Sequence, residues 1–492
     1  MVEARGYDAE RAPFNQREIM KRVSYHHNKP RSSGRILVLV VLAVLVAGGL
    51  TLRRQLRLPP PPTITLTSDL PGVGRRTTVT VKVSDPHGGI QRVTVTGQGA
   101  GLQRKVLSDV TLGTDPHSAS EAQKQAVVNL VLGRETTPEL KPGTLTLDVV
   151  VQARGTRLRK MPPVTAQQSL SVRFEPPAVA ATSQFIHPAQ GGAEVVVYEV
   201  GPNTKRHGVR AGSWFFPGSP LPGGGPQQRF VIFGAPYDLD VDEAAAKNAI
   251  VLVAEDDLGN RNEVAFLHKW FRRPMGRDVI ELQDSLMQKV TSEIYGRTPS
   301  LARKGTLLAD YLQLNGDLRR ANMKELLDLA RTTEAAFLWS EVFLPMQNAA
   351  VKGSFADRRT YTHAGKPVDT QDHLGFDLAS NKQAPVQAPN AGRIALARYF
   401  GIFGNCVVID HGYGLMSLSA HLSTIAVKEG ERVTRGKEIG RSGATGLAGG
   451  DHLHFTMLVH GLPVTPVEWW DGHWIKDRVA LKLGPVLKFT GK

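Results

Sequence analysis

His452-Leu453-His454 sets two imidazoles one residue apart, and Phe455, Met457 and Val459 carry the run on with apolar residues at alternate positions, so the segment reads as a strand. Side chains two apart on a strand share a face, which sends both rings into one pocket while Leu453 faces the other way. His373 and Asp377 are four apart, an even spacing that also places both on one face of an extended chain. A histidine, a carboxylate and a histidine drawn from these pieces make a nitrogen/oxygen donor set suited to zinc. Three protein donors leave the fourth tetrahedral position to water, which is the catalytic arrangement. Zinc held in this way acidifies its water and polarises a carbonyl. Each piece alone is weak, since surface strands carry His-x-His pairs by chance. Their occurrence with His421 between them and the glycine-rich run Gly440 to Gly450 just before the last is much harder to produce by accident.

From about Phe355 to Ile475 the chain resembles the lysostaphin-type, or LytM-type, zinc endopeptidases that cleave peptidoglycan. The resemblance is carried by the lead-in Phe355-Ala356-Asp357-Arg358-Arg359-Thr360-Tyr361, by His373-Leu374-Gly375-Phe376-Asp377-Leu378-Ala379, and by Gly404-Asn405 with His411-Gly412-Tyr413-Gly414. Gly443-Ala444-Thr445-Gly446 leading to His452-Leu453-His454 completes it. It implies His373, Asp377 and His454 as ligands of one zinc ion per chain, and His421 and His452 as catalytic residues that do not bind the metal. The implied reaction is attack of zinc-bound water on a peptide carbonyl, with one of these histidines assisting deprotonation and the pair stabilising the oxyanion. One departure is Ser419, which stands two residues before His421 where the family often has tyrosine. That tyrosine is not a ligand, so the departure puts a substrate contact in doubt rather than the chemistry.

Other conspicuous residues take a plainer reading. His411 belongs to the turn Asp410-His411-Gly412-Tyr413-Gly414 and is expected to be structural. His460, before Gly461 at a strand end, is expected to be exposed, and His363 to lie in a loop at the groove edge. The Gly440 to Gly450 run lacks the Gly-Lys-Ser of a phosphate cradle. As a loop beside the metal site, its small residues let an extended peptide lie close to the backbone. Trp469 and Trp470 are expected in the core. Cys406, the single cysteine, excludes an internal disulfide and sits in an apolar strand as an inert thiol.

The rest of the chain must position and deliver this chemistry. At 492 residues it is too long for one core. Hydrophobic content of 41% and charged content of 21% are ordinary for folded domains. The net charge of +15 suits an anionic surface, and the aromatic content of 7% with no recognisable nucleic-acid motif excludes nucleic acid as partner. Residues 1–35 are a basic leader before the uncharged apolar stretch 36–52, which predicts a transmembrane anchor; a cleaved signal peptide is the rival. Lys21, Arg22, Lys29, Arg31 and Arg35 before it outnumber Arg53, Arg54 and Arg57 after it, so the N-terminus is expected inside and residues 58–492 outside. A proline-rich linker closes at 62. Alternating β-branched segments then predict a β-sandwich-like unit of immunoglobulin type over 63–175 and a second β unit over 176–273. Asp256-Asp257-Leu258-Gly259-Asn260 in the latter reads as a solvated turn.

Asp278 with Glu281 is a capping-box signature, and Val279, Leu282, Leu286 and Val290 recur at helical spacing. Asn322 with Glu325 starts a second such run through Leu326, Leu329 and Phe337. A helical segment is therefore predicted over 274–345, its stripe a packing face. An all-β metallopeptidase domain follows over 346–478, and a tail over 479–492. The expected whole is a multidomain, mainly β protein. Its expected function is that of a membrane-anchored zinc metalloendopeptidase acting on peptidoglycan cross-links in the periplasm or cell exterior. A catalytically silent cell-wall-binding activator or scaffold for other hydrolases is the alternative, and a secreted protease of proteins a third. The β units are available for cell-wall protein partners.

Overall fold

The computed structural model describes residues 33–112 and 124–491. Lys21, Arg22, Lys29 and Arg31 of the basic leader lie outside the described residues. The chain is mainly β, with one long apolar helix near its N-terminus and several sheets.

That helix is Ser33–Leu56. Its leucines and valines are exposed around the whole circumference, with Leu37 at 65% and Leu45 at 68%. A helix apolar on all sides and buried against nothing suits an apolar medium rather than water. The span Arg35–Leu56 has 22 residues, against the 17 expected, because Arg53 and Arg54 continue the last turn. At 1.5 Å per residue it reaches about 33 Å, enough for a hydrocarbon layer of about 30 Å. Among the described residues it is the one helix long and apolar enough to cross a membrane.

Beyond it, Thr63–Ser68, Thr77–Ser84 and Gln125–Leu132 form one antiparallel sheet, and Leu102–Thr111, Ile90–Gly99, Gly143–Ala153 and Val164–Val172 another. Val79, Val81 and Val83 point inward while Thr78, Thr80 and Lys82 point out. The inner faces enclose a core of their own. Two four-stranded sheets follow within residues 179–265. The turn at Asp256 is built rather than merely solvated: Asp256 is buried, and its Oδ1 accepts the N–H groups of Leu258 and Asn260, both at 2.9 Å. The core of these sheets runs on into the C-terminal region, where Phe230 meets Tyr413 edge-on at 4.8 Å and lies 5.6 Å from Phe337.

The helical stretch departs from its sequence reading at both ends. Arg277–Glu281 is a strand, paired in parallel with Asp357–His363, and Glu281 binds Thr362 instead of capping a helix. The hairpin Asp357–His363/Lys366–His373 offers an unpaired edge, and a five-residue ladder satisfies more backbone groups than one cap. The first helix is Asp284–Arg297, and the second run is continuous from Leu307 to Ala330. Asn322 is thus mid-helix rather than a start, and its side chain accepts the N–H of Ile402 at 3.0 Å. Phe337 lies past the helix end, in a segment that crosses to the second β unit.

An antiparallel sheet of eight strands organises the C-terminal region. Its order runs Ala350–Gly353, Phe376–Ala379, Leu453–Val459, Leu415–Leu422, Asn405–Gly412, Gly392–Tyr399, Arg432–Val433, with Leu462–Val464 beside Leu453–Val459. Its two faces are covered differently. Val408, Met416, Leu418 and Leu458 meet Ile294, Leu314, Leu318 and Leu326 of the helices. Val407, Ile409, Phe455 and Met457 join the core shared with the second β unit and Trp469. Even-numbered residues of Leu453–Val459 therefore face the helices, and the metal-ligand candidates belong to that face.

Candidate metal centre

Three polar side chains converge at one end of the helix-covered face. Asp377 lies directly opposite His454 across the ladder between Phe376–Ala379 and Leu453–Val459. His373 arrives from the hairpin Lys366–His373 and is not on the strand of Asp377. The even spacing in sequence is therefore incidental: the chain leaves one sheet at His373, turns at Leu374-Gly375 and enters another at Phe376. Gly375 permits this crossing, since a Cβ there would come within 2.6 Å of the His454 ring.

The hydrogen bonds assign the ring nitrogens. His373 Nδ1 faces the carbonyl of Ser354 at 2.9 Å, so it carries the proton and leaves a lone pair on Nε2. His454 Nε2 lies 3.1 Å from Thr456 Oγ1, whose own hydroxyl donates to the carbonyl of Leu374 at 2.8 Å, so the lone pair of His454 is on Nδ1. These two lone-pair nitrogens face each other at 3.1 Å, and each also faces Asp377 Oδ1, at 2.9 and 3.0 Å. Three acceptors aimed at one point repel unless a cation sits among them. Tetrahedral bonds of about 2 Å would set ligand atoms about 3.3 Å apart, close to what is seen. His373, Asp377 and His454 thus fit a metal ion, and they form the candidate metal group among the described residues. Burial would raise the pKa of Asp377, but the three imidazoles around it, His373, His452 and His454, hold it far below the usual carboxylate range. Burial lowers His454 to about 4, keeping it neutral and able to coordinate.

His421 and His452 stand beside this group, their rings 4.9 Å apart and that of His421 5.7 Å from His454. Each presents Nδ1 to a backbone carbonyl, His421 to Thr445 and His452 to Gly450, both at 2.8 Å, so in each the Nε2 is free to take a proton. Simple alternation would have hidden His421: Ala420 pairs with His454, so the next side chain should face away. A bulge, with φ of +60° at His421, returns its ring to the site. Burial holds its pKa well below the ordinary value, and the neighbouring histidines add to this. Burial also opposes protonation of His452, but Asp377 outweighs it and raises the pKa.

All five residues line a cleft of about 250 Å³. Leu447, Ala448 and Gly449 of the glycine-rich run border it, and Leu286 and Tyr311 of the helices close its far side. Lys289 ties that run to the first helix, donating to the carbonyls of Ala444 at 3.1 Å and Ala448 at 3.0 Å. Ser419 pairs with Phe455 on the opposite face and does not line the cleft. His411 is buried, between the carbonyl of Ala391 at 2.7 Å and Ser417 Oγ at 2.8 Å. His460 is packed between Gly414 and Phe216 rather than exposed, because the second β unit covers that strand end. His363 meets Asp284 at 3.0 Å, away from the cleft. Cys406 is fully buried and its thiol pKa is pushed up by that burial. Sequence reasoning assigned no role to Arg359, which donates to Asp377 Oδ2 at 2.8 Å, or to Thr456. Thr456 was within reach of the alternation rule, being two residues past His454 on the same face.

The profile described as Peptidase family M23 matches residues 371–466. The chain is 42% identical over 96 residues to the peptidoglycan DD-endopeptidase ShyA of Vibrio cholerae, covering 20% of this chain and 22% of that protein. It is 41% identical over 95 residues to the DD-carboxypeptidase/endopeptidase Mpg of Neisseria meningitidis, covering 19% and 22%. The chain thus spans about a fifth of the length of these curated relatives. Among solved structures it resembles a putative peptidase M23 of Pseudomonas aeruginosa, at 20% identity and a TM-score of 0.34, covering 57% of this chain and 94% of that one. Residues 371–466, which carry both halves of the acceptor cluster and the two flanking histidines, are a peptidase family M23 domain.

Proposed function

We propose that the protein is a membrane-anchored zinc metalloendopeptidase that hydrolyses peptide cross-links of bacterial peptidoglycan. The observation that carries this reading is the convergence of three lone-pair donors from two sheets on one point, with two further imidazoles lining the same cleft. His373, Asp377 and His454 would hold the ion. When bound, zinc supplies Lewis acidity, which polarises a carbonyl and lowers the pKa of water. Nε2 of His421 or His452 takes the proton of the attacking water, a role for which burial keeps His421 neutral. The two rings, approached from one side of the cleft, then donate to the oxygen on which charge develops. The bordering glycine run admits an extended peptide, and the apolar wall of Leu286, Ile402, Phe403 and Leu447 excludes water. The M23 match and the peptidoglycan-cleaving relatives support the substrate class, and the helix Ser33–Leu56 supports the anchor.

The full chain, solubilised in detergent and carrying one zinc, should convert cross-linked muropeptides into monomers, and a chelator should stop it. Zinc-loaded protein that binds cell walls without releasing monomers would favour the scaffold reading instead.

A further inference from the structure

Two arginines from different elements line the cleft. Arg359 comes from the strand Asp357–His363 and Arg319 from the second helical run, and both line the cleft with the metal-binding candidates. The Arg359 side chain is 17% exposed; one terminal nitrogen donates to Asp377, while its Nε is buried with no acceptor. Arg319 is partly buried and, among the described residues, donates to Asn315, from Nε to the backbone oxygen at 3.0 Å and from a terminal nitrogen to Oδ1 at 2.7 Å. Asn315 is itself held by Asp369 at 2.8 Å, so the guanidinium is aimed by a rigid arm. The nearby carboxylate, Asp369, acts on Arg319 through space and is itself engaged by Asn315.

A guanidinium has five N–H donors, and here neither is fully satisfied. Burial lowers the pKa of Arg319, Tyr361, Tyr311 and Asp369 oppose this, and the like charge of Arg359 adds to the cost. Arg359 already shares its charge with Asp377 and, among the described residues, Arg319 has no such partner, so two cations beside the apolar residues Ile280, Leu286, Ile402 and Leu447 are further stabilised by an anion arriving with the ligand. The planar fork of each matches a carboxylate in two-point contact. We propose that Arg319 and Arg359 form a carboxylate-binding subsite that makes the enzyme select peptides carrying a free carboxylate beside the scissile bond. The inference rests on the peptidase reading and names the substrate chemistry it takes.

The test uses the full zinc-loaded chain and two cross-linked peptides, one with free carboxylates and one with those groups converted to carboxamides. The free acid should show a KM lower by roughly tenfold or more at similar kcat, the size of a charge-assisted hydrogen bond. Arg319→Gln should abolish the difference while keeping zinc content and melting temperature. Equal KM values in the unaltered protein overturn the proposal without reference to any variant. Calorimetry with a non-cleavable tetrapeptide should show the same preference for acid over amide, and equal binding of the two also overturns it. If the acid alone binds and neither cross-linked peptide is cut, the subsite stands and the peptidase reading falls.

Discussion

At His454, Thr456 occupies Nε2 and so leaves the lone pair on Nδ1, facing His373 and Asp377, where the proposed ion would sit. This separates ligands from helpers in a way that substitution can measure. His454→Ala removes one of three donors, so zinc content and activity should collapse together. His421→Ala leaves His373, Asp377 and His454 in place. It should keep about one zinc and a normal fold while losing roughly 10²–10⁴-fold in turnover, as expected for a general acid/base group. His452→Ala should follow His421→Ala in turnover, with some loss of metal affinity, because its Nε2 lies 3.4 Å from Asp377 Oδ1. Elemental analysis alongside cleavage decides it, and a zinc-free His421→Ala protein would show the ligands to be misassigned.

The helices between the β units and the M23 domain are part of that domain's packing. Ile294, Leu314 and Leu326 are at most 1% exposed, and they cover Val408, Met416 and Leu418 of the large sheet. Burying such a side chain is worth about 1.5–3 kcal/mol. Removing several of them rivals the ~5–15 kcal/mol net stability of a domain. The strand Arg277–Glu281 adds a parallel ladder to the hairpin that carries Arg359 and His373. Residues 346–492 expressed alone should therefore aggregate or melt far below the full chain, rather than behave as a freed enzyme. A soluble 346–492 with the melting temperature of the full chain would mean that the helices act only as a cover.

Two cores divide the molecule. The first sandwich has its own, whereas the second β unit and the M23 domain share one. Glu468 bridges that shared region: its carboxylate accepts the N–H of Ala193 at 2.7 Å and pairs with Arg273 at 2.9 Å. Burial raises its pKa to about 7, against an ordinary 4.5, despite Arg273. The folded state therefore binds this proton more tightly than the unfolded state. The stability it contributes is full below pH 4.5 and is lost as pH rises through about 7. The melting temperature should fall across that window in the unaltered chain relative to Glu468→Gln, which has no proton to lose. Parallel curves for the two would remove Glu468 as the cause. The membrane placement is tested at the same scale. A reporter active only outside the cytoplasm, fused after residue 62, should be active. Cytoplasmic signal would reverse the topology, and a mature N-terminus near residue 50 would mean cleavage.

Alternation and residue type were enough to read the mainly β class and the apolar helix, because these depend on local periodicity, whereas the M23 domain was legible through its motifs. His452 and His454 share a face for that reason alone. The sequence could not show how His373 reaches Asp377, since the two belong to different sheets and meet only through the crossing at Gly375. Motif resemblance singled out His421, but alternation could not place it, since its ring is returned to the site by a bulge. The capping box at Asp278 was a sound local signal overruled by a long-range one, the free edge of a hairpin some 80 residues later in the chain. Arg319 carried no signal at all in one dimension. Its place in the cleft follows from the packing of a helix across a sheet, which depends on apolar contacts far from it in sequence.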